Sequence, residues 1–258
     1  MKNGIKLGLL VSGIVFAPSV FAEQVQVKPY ANLGLQKYEF TIVDPNGPDE
    51  SETEVADSNY LAVGGGVTVS NGSLYGDLNL STSVAAELES ADGDADFTRY
   101  DISFAMGYLL EGGFSVFGGY KIGTSEMSEF SNDASIPDIE FKADGFFIGA
   151  SQGWNVDETT LLSFSLAAAL MKGHYTWENE TINKVKVESD STVGVSAGLS
   201  MSKLINDNLS LTGSFKYQSY TYSDFDGEFA GSIFTEELAG LEVDEDILTF
   251  GVTLSMHL

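Results

Sequence analysis

The segment Asp246–Leu258, with the sequence DILTFGVTLSMHL, decides the fold. Large apolar side chains alternate in it with small or polar ones, which is the period of a β-strand that has one apolar and one polar face. The apolar set is Leu248, Phe250, Val252, Leu254, Met256 and Leu258. Because no later element can cover the edge of this strand, we predict that it pairs with the first strand and closes a barrel.

The same period-2 pattern recurs along the chain and predicts ten strands, with eight or twelve as alternatives. Their approximate cores are 27–42, 59–70, 73–86, 98–110, 114–123, 141–152, 160–174, 191–204, 209–222 and 247–258. In the sixth of these the face is ambiguous, because two sets of residues compete for the outward side and a β-bulge would reconcile them. The two sets are Phe146, Ile148 and Ala150 against Phe141, Ala143 and Phe147.

The composition of the polar face indicates that the alternation is inside out. In the segment Thr192–Met201, the face opposite the apolar residues holds only Gly, Ser and Thr. Such side chains are too small for an ordinary solvated exterior but suit a narrow lumen, whereas the large apolar side chains suit lipid. We therefore predict an all-β, antiparallel, up-and-down transmembrane barrel.

The connections alternate between tight turns and long links, which sets the topology. Asn71-Gly72 is a strong hairpin signal, and Glu111-Gly112-Gly113, 155–158 and 205–208 are similarly short. The long links are about 43–58, 87–97, 124–140, 175–190 and 223–246. Short turns are typical of the periplasmic side, so we expect long loops outside and both termini in the periplasm.

Residues 1–22 have the pattern of a cleaved secretory signal. Lys2 and Lys6 precede an apolar core, and Val20-Phe21-Ala22 is an acceptable cleavage site. The remaining 23–258 are expected to form one barrel domain. They hold 10 basic and 38 acidic residues, a net charge of −28, which argues against nucleic acid as a partner. The absence of cysteine excludes thiol chemistry and thiolate metal sites.

The signal, the alternating strands, the rhythm of turns and loops, and the terminal segment Leu254–Leu258 together resemble the small bacterial outer-membrane β-barrels. These include the OmpA-like, opacity-type and ten-stranded omptin-type proteins. The resemblance covers 23–258 and is architectural. It implies a bacterial outer-membrane location, contact with lipid and lipopolysaccharide, and recognition of the last strand by the barrel-assembly machinery. Members usually end in Phe or Trp, and Leu258 departs from that pattern.

Most of the acidic residues, 29 of 38, fall in the five long links. Such segments are usually solvated, self-repelling loop faces. The alternative is binding of Ca²⁺ or Mg²⁺, which prefer carboxylate oxygens, including bridges to lipopolysaccharide phosphates. The candidate ligands are Asp92, Asp94, Asp96, Asp224, Asp226 and Glu228. The first three begin like a calcium loop, but Phe97 stands where an EF-hand needs glycine.

Strand parity also places charged residues on the lumen face. They are Asp77, Arg99, Asp101, Lys121 and Lys216. A group of this kind either fills the lumen with ion pairs or forms a constriction that tunes ion passage.

Base chemistry has only two histidines available, and His257 lies at the turn side of the last strand. His174 is near the outer end of the seventh strand, where an omptin-like protease would use a histidine, with Glu178 or Asp224 as orienting carboxylates. The competing interpretation is an ordinary residue of the aromatic girdle. We expect no enzyme and no cofactor. The leading hypothesis is a structural or surface-binding barrel whose loops meet cations, envelope components, a host or phage. The alternative is a narrow, cation-preferring diffusion channel, and an omptin-like protease or a lipid-modifying enzyme is a third, less favoured hypothesis.

Overall fold

The computed structural model describes residues 25–43, 52–84, 86–88, 95–128, 138–178, 185–190, 192–223, 225–229, 232–234 and 242–258. The predicted signal segment lies outside these ranges and stays a prediction. Among the described residues, no helix has the length and apolar character needed to cross a membrane.

Ten antiparallel strands form a closed barrel, as predicted. They are β1 (Val25–Val43), β2 (Glu52–Asn71), β3 (Leu74–Val84), β4 (Ala95–Leu109), β5 (Phe114–Ser128), β6 (Asp138–Asn155), β7 (Thr160–Glu178), β8 (Thr192–Asn206), β9 (Leu209–Tyr222) and β10 (Glu242–Met256). Each strand pairs with its neighbours in chain order, and β10 returns to β1.

The seam between β1 and β10 closes the barrel. Its register runs without interruption from Tyr30 opposite Ser255 to Val43 opposite Glu242. Beyond the last strand, the Leu258 N–H donates to the Val27 carbonyl oxygen at 3.1 Å. The terminal segment therefore pairs with the first strand along almost its whole length.

Side-chain exposure confirms the inside-out alternation. On β4, Ile102, Phe104 and Met106 are each about half exposed, while the residues between them are buried in the lumen. The same pattern appears on β8 and β10, where Val193 and Phe250 are more than half exposed. An apolar exterior belt of this kind matches the lipid-facing surface of a transmembrane barrel.

The predicted bulge in β6 is wrong. The pairings of β6 with β5 and β7 show no register shift. Phe146 and Ile148 face outward at 70% and 71% exposure, and Phe141 and Phe147 face the lumen in regular alternation. Both faces of β6 carry aromatic residues because the lumen of this barrel also contains aromatic rings. One set therefore faces outward and the other faces the lumen, without a bulge.

The short connections, the start of β1 and the end of β10 lie at one end of the barrel, which we call the turn end. We call the opposite end the loop end. Gly72, Gly112 and Gly113 have positive φ of 58°, 77° and 79° in two of these turns. Positive φ is the conformation that glycine adopts without the steric cost of a Cβ.

At the loop end the strands continue well into the segments that the sequence assigned to long links. Thus β2 begins at Glu52 and β10 at Glu242. Short additional strands pair above the barrel: Val185–Ser189 with β7 and with Phe225–Phe229, and the latter with Ser232–Phe234.

The orientation of β6 can be tested with single tryptophans. In a background with Trp154→Phe and Trp177→Phe, Phe146→Trp should be strongly quenched by brominated acyl chains after refolding into vesicles. Phe147→Trp should be quenched weakly, because its ring lies inside the barrel against Phe117, with centroids 6.3 Å apart. Equal quenching at the two positions, or the reverse order, would show that the alternation described for β6 is wrong.

Candidate functional site

The centre of the lumen holds a buried network of charges around Arg99. Its guanidinium binds Asp101 through two contacts of 3.0 Å, Nε to Oδ2 and Nη2 to Oδ1. Nη1 donates to Glu245 Oε1 at 2.6 Å and to the Ser125 hydroxyl at 2.9 Å. Arg99 is only 2% exposed. Its guanidinium joins one carboxylate on its own strand, β4, to another carboxylate on β10. Paired, hydrogen-bonded charges of this kind are the form in which ions are tolerated in a dry interior.

Lys121 extends this network across the lumen. Its Nζ lies 3.6 Å from Asp101 Oδ1 and 3.5 Å from the Tyr220 hydroxyl, and 5.0 Å from the centre of the Tyr220 ring. Lys216, on β9, lies within electrostatic range of both Lys121 and Asp101. Gln218 donates from its side-chain amide to the Tyr220 hydroxyl. The predicted lumen residues on β4, β5 and β9 are thus brought together.

Asp77 lies apart from the arginine and is held by hydroxyl groups. It accepts hydrogen bonds from Thr68 Oγ1 at 2.6 Å and from the Tyr30 hydroxyl at 3.1 Å. The Asn79 amide donates in turn to the Tyr30 oxygen at 2.6 Å. Asp77 is therefore a lumen residue, as parity predicted, but belongs to a separate cluster formed by β1, β2 and β3.

Above the charges, toward the loop end, aromatic side chains fill the lumen. Phe40 and Phe141 lie 5.0 Å apart, Phe141 and Tyr222 5.1 Å, and Tyr38 and Phe97 5.2 Å, measured between ring centres. We call this set the aromatic layer; its members are Tyr38, Phe40, Tyr60, Phe97, Phe141, Tyr175, Tyr220 and Tyr222. All are at most 4% exposed, so the layer closes this part of the lumen.

The aromatic layer and the charged network are joined. The Arg99 guanidinium carbon lies 5.0 Å from the centre of the Tyr38 ring, within the range of a cation–π contact. The Tyr222 hydroxyl donates to Glu245 Oε2 at 3.3 Å. The rings therefore cover the charges on one side and supply them with polar contacts.

Lumen-facing glycines give these groups their space. A Cβ at Gly194 would lie 2.0 Å from the Tyr220 ring, and one at Gly107 would lie 2.2 Å from the Tyr75 ring. A Cβ at Gly123 would lie 2.9 Å from Arg99 Nη2 and 3.0 Å from Asp101 Oδ1. Part of the small-residue face that predicted a narrow lumen is thus covered by larger side chains from neighbouring strands.

Sequence reasoning missed Glu245 and the aromatic layer. Glu245 was assigned to a loop because the last strand was started at Ile247, but it lies in phase with the lumen residues Thr249 and Thr253 and is 1% exposed. The aromatic residues were likewise in phase with the lumen face near the loop ends of their strands. Extending the last strand by the same parity would have found Glu245. Six of the eight rings already lay inside predicted strands, and only Phe97 and Tyr175 fell in predicted links.

His174 faces the exterior of the barrel, not the lumen. Its Nε2 lies 3.3 Å from Asp144 Oδ1 and its Nδ1 lies 3.7 Å from Glu188 Oε2. Lys142 and Lys172 contact the same two carboxylates at 3.3 and 3.4 Å. The proposed partner Asp224 lies outside the described residues, as does the side chain of Glu178. Both ring nitrogens therefore face carboxylates within a charged surface cluster on β6, β7 and the strand Val185–Ser189.

The candidate cation ligands fall largely on residues that the structure does not describe. Asp92, Asp94 and Asp224 lie outside the described ranges, and nothing is described of the Asp226 and Glu228 side chains. Asp96 is exposed on β4. Within the part of the chain that is described, no group of three or more His, Cys, Asp or Glu is arranged to hold a metal ion.

These features give the protein the fold of the outer-membrane β-barrels, a closed antiparallel barrel of ten strands with an apolar exterior belt. The outer membrane protease OmpT of Escherichia coli has a similar structure, with a TM-score of 0.63 and 8% identity over 94% of this chain and 100% of that one. The β domain of the Bordetella autotransporter BrkA (TM-score 0.49, 10% identity, 90% and 99% covered) and the translocator domain of NalP from Neisseria meningitidis (0.47, 10%, 91% and 89%) are also similar. No protein-family profile and no curated protein matches the sequence.

Removal of Arg99 tests the energetic role of the network. Arg99→Met should destabilise the barrel by about 3–5 kcal/mol, because Glu245 and Asp101 would lose their buried counter-ion. Urea-induced unfolding in lipid vesicles measures this change.

Lys37→Met is the matched control, since Lys37 pairs with Glu39 and Asp57 on the exposed exterior. This substitution should destabilise the barrel far less than Arg99→Met, because an exposed ion pair is screened by solvent. The double substitution Arg99→Met with Glu245→Leu should recover part of the lost stability. If Arg99→Met and Lys37→Met destabilised the barrel equally, a structural role for the network would be contradicted.

Proposed function

We propose that this protein is a non-enzymatic barrel of the bacterial outer membrane that binds partners through its loop end and does not conduct ions. In the proposed membrane orientation, the turn end and both ends of the mature chain face the periplasm, and the loop end faces the outside of the cell. The observation that carries the proposal is the aromatic layer, which fills the lumen above a network of paired charges.

The closed lumen favours a binding role over the channel alternative. An ion moving along the axis would have to pass rings that are almost fully buried and packed 5–6 Å centre to centre. Opening such a path means separating aromatic pairs that contribute about 0.5–1.5 kcal/mol each beyond the area they bury. The packed interior therefore makes the barrel a rigid scaffold for the loop end. Binding residues commonly lie on loops above a rigid scaffold of this kind.

The exterior of the loop end is predominantly acidic, which suggests the chemistry of its partners. Outward-facing acidic residues on the extended strands are Glu39, Asp57, Asp96, Glu126, Glu140, Asp144, Glu188, Asp244 and Asp246. Together with the acidic connections, they produce a negative field that concentrates cations and cationic surfaces. Ca²⁺ or Mg²⁺ held in this field would also bridge the protein to lipopolysaccharide phosphates.

The surroundings of His174 fit a surface ion-pair cluster. Its ring lies on the exterior of the barrel, beside Asp144 and Glu188, and these carboxylates also contact Lys142 and Lys172. We therefore assign it to the polar band that borders the apolar belt.

Planar-bilayer recordings test the closed lumen. The refolded chain 23–258 should give no regular current steps, whereas the combined substitution Phe40→Ala, Phe141→Ala and Tyr222→Ala should produce steps by emptying the aromatic layer. A triple substitution on the exterior, Phe104→Ala, Phe146→Ala and Phe250→Ala, is the matched control and should remain silent. Steady cation-selective steps from the unsubstituted protein would refute the proposal.

Calorimetry on the barrel in nanodiscs tests the acidic loop end. Replacing six carboxylates of the loop end by amides should weaken Ca²⁺ binding at least about tenfold, because the negative field that concentrates the cation is reduced. The six residues are Asp92, Asp94, Asp96, Asp224, Asp226 and Glu228. The same change at Asp157 and Glu158, in a turn at the opposite end, should leave binding unaltered. Unchanged Ca²⁺ affinity in the six-residue variant would remove the cation from the proposal.

A further inference from the structure

A cavity of about 60 Å³ lies in the lumen on the turn side of the aromatic layer. It is bordered by strands from β3 round to β9, on the side of the barrel away from the seam. The charged network and the aromatic layer leave this space unfilled. It is separate from the acidic loop end that the proposed function uses.

One wall of the cavity is cationic and rich in donors. Lys121 and Lys216 both line it, on β5 and β9, together with the Tyr220 hydroxyl and the Gln218 amide. Lys121 is 5% exposed, so its ammonium acts in an interior where a charge interacts strongly with any ion beside it. Serine hydroxyls at Ser103, Ser151, Ser165 and Ser196 add further hydrogen-bonding groups around the space.

Another part of the cavity lining is apolar. Phe117 and Phe147, Met171, and the alanines of β7 line it. A pocket with an apolar wall and a few convergent polar groups is the usual form of a small-molecule site, in which the polar groups fix the orientation of the ligand.

The charges around the cavity favour an anion. Two lysine side chains, those of Lys121 and Lys216, line the cavity, and Lys121 Nζ also lies 3.6 Å from Asp101 Oδ1. Asp77 is the one carboxylate in the cavity lining, and it is held on the β1–β2 side by hydrogen bonds from Tyr30 and Thr68. The two ammonium groups lie on other strands, so a carboxylate placed between them avoids Asp77.

The volume limits the size of the ligand. A cavity needs about 10–15 Å³ in this measure for each water-sized group, so 60 Å³ accommodates roughly four to six non-hydrogen atoms. We propose that the cavity is a binding site for a short-chain monocarboxylate, whose carboxylate lies between Lys121 and Lys216 and whose alkyl chain lies against Phe117, Phe147 and Met171. Because the aromatic layer closes the loop side, the ligand enters from the turn end.

Isothermal titration of the folded barrel in nanodiscs with butyrate tests this proposal. The unsubstituted protein should bind butyrate, and should bind n-butylammonium, which has a similar chain and the opposite charge, at least about tenfold more weakly. Lys216→Met should weaken butyrate binding at least about tenfold. Lys203→Met, at an exposed lysine near the turn end, is its matched control and should bind normally.

A second variant removes the space without removing a charge. Ala167 lines the cavity on β7, and Ala167→Leu should abolish butyrate binding by filling it. Ala150→Leu, on the exterior of β6, makes the same change outside the lumen and should have no effect. Heat-modified electrophoretic mobility verifies the fold of each variant.

Three results would overturn the inference. They are the absence of a butyrate heat with the unsubstituted barrel, unaltered binding by folded Ala167→Leu, and equal binding of butyrate and n-butylammonium. None of them bears on ion conduction or on Ca²⁺ at the loop end, so failure here is distinguishable from failure of the proposed function.

Discussion

The pairing of β10 with β1 is the constraint on which the rest of this structure depends. In an apolar surrounding every backbone N–H and C=O must be satisfied within the protein, and a sheet achieves this only when it has no edge. The register from Tyr30 opposite Ser255 to Val43 opposite Glu242 removes the two edges that an open sheet would have. Once the ring is closed, each strand must direct one face to the exterior and the other to an enclosed lumen.

Closure creates an interior that has to be filled without a conventional core. This barrel fills it in two ways. Arg99 and its carboxylate partners neutralise one another at mid-height, and rings such as Phe40 and Phe141 pack above them. Some rings have room because a glycine on a nearby strand has no Cβ, as at Gly194 beside Tyr220. The space that remains, beside Lys121 and Lys216, is small and partly cationic.

The sequence predicted the barrel, the ten strands and the direction in which the alternation faces on every strand but the sixth, because period-2 patterning is local and repeats over many residues. It also placed Arg99, Asp101 and Lys121 in the lumen by parity alone. It failed where strands were ended too early. Glu245 was assigned to a loop, since a run of acidic residues has the composition of a solvated connection. Most rings of the aromatic layer lay inside predicted strands, but parity alone did not predict that they pack against one another in the lumen.

By itself, then, the sequence determined the topology: which residues face lipid, which face the lumen, and which end of the barrel carries the acidic connections. Only the tertiary structure decided what the lumen contains. Ring stacking, the pairing of Arg99 with Glu245 across 146 positions of sequence, and the cavity between β5 and β9 all depend on how side chains from non-adjacent strands meet inside the closed ring. Parity specifies the face of each residue, but the height and tilt that bring two faces into contact follow from the register of the whole barrel.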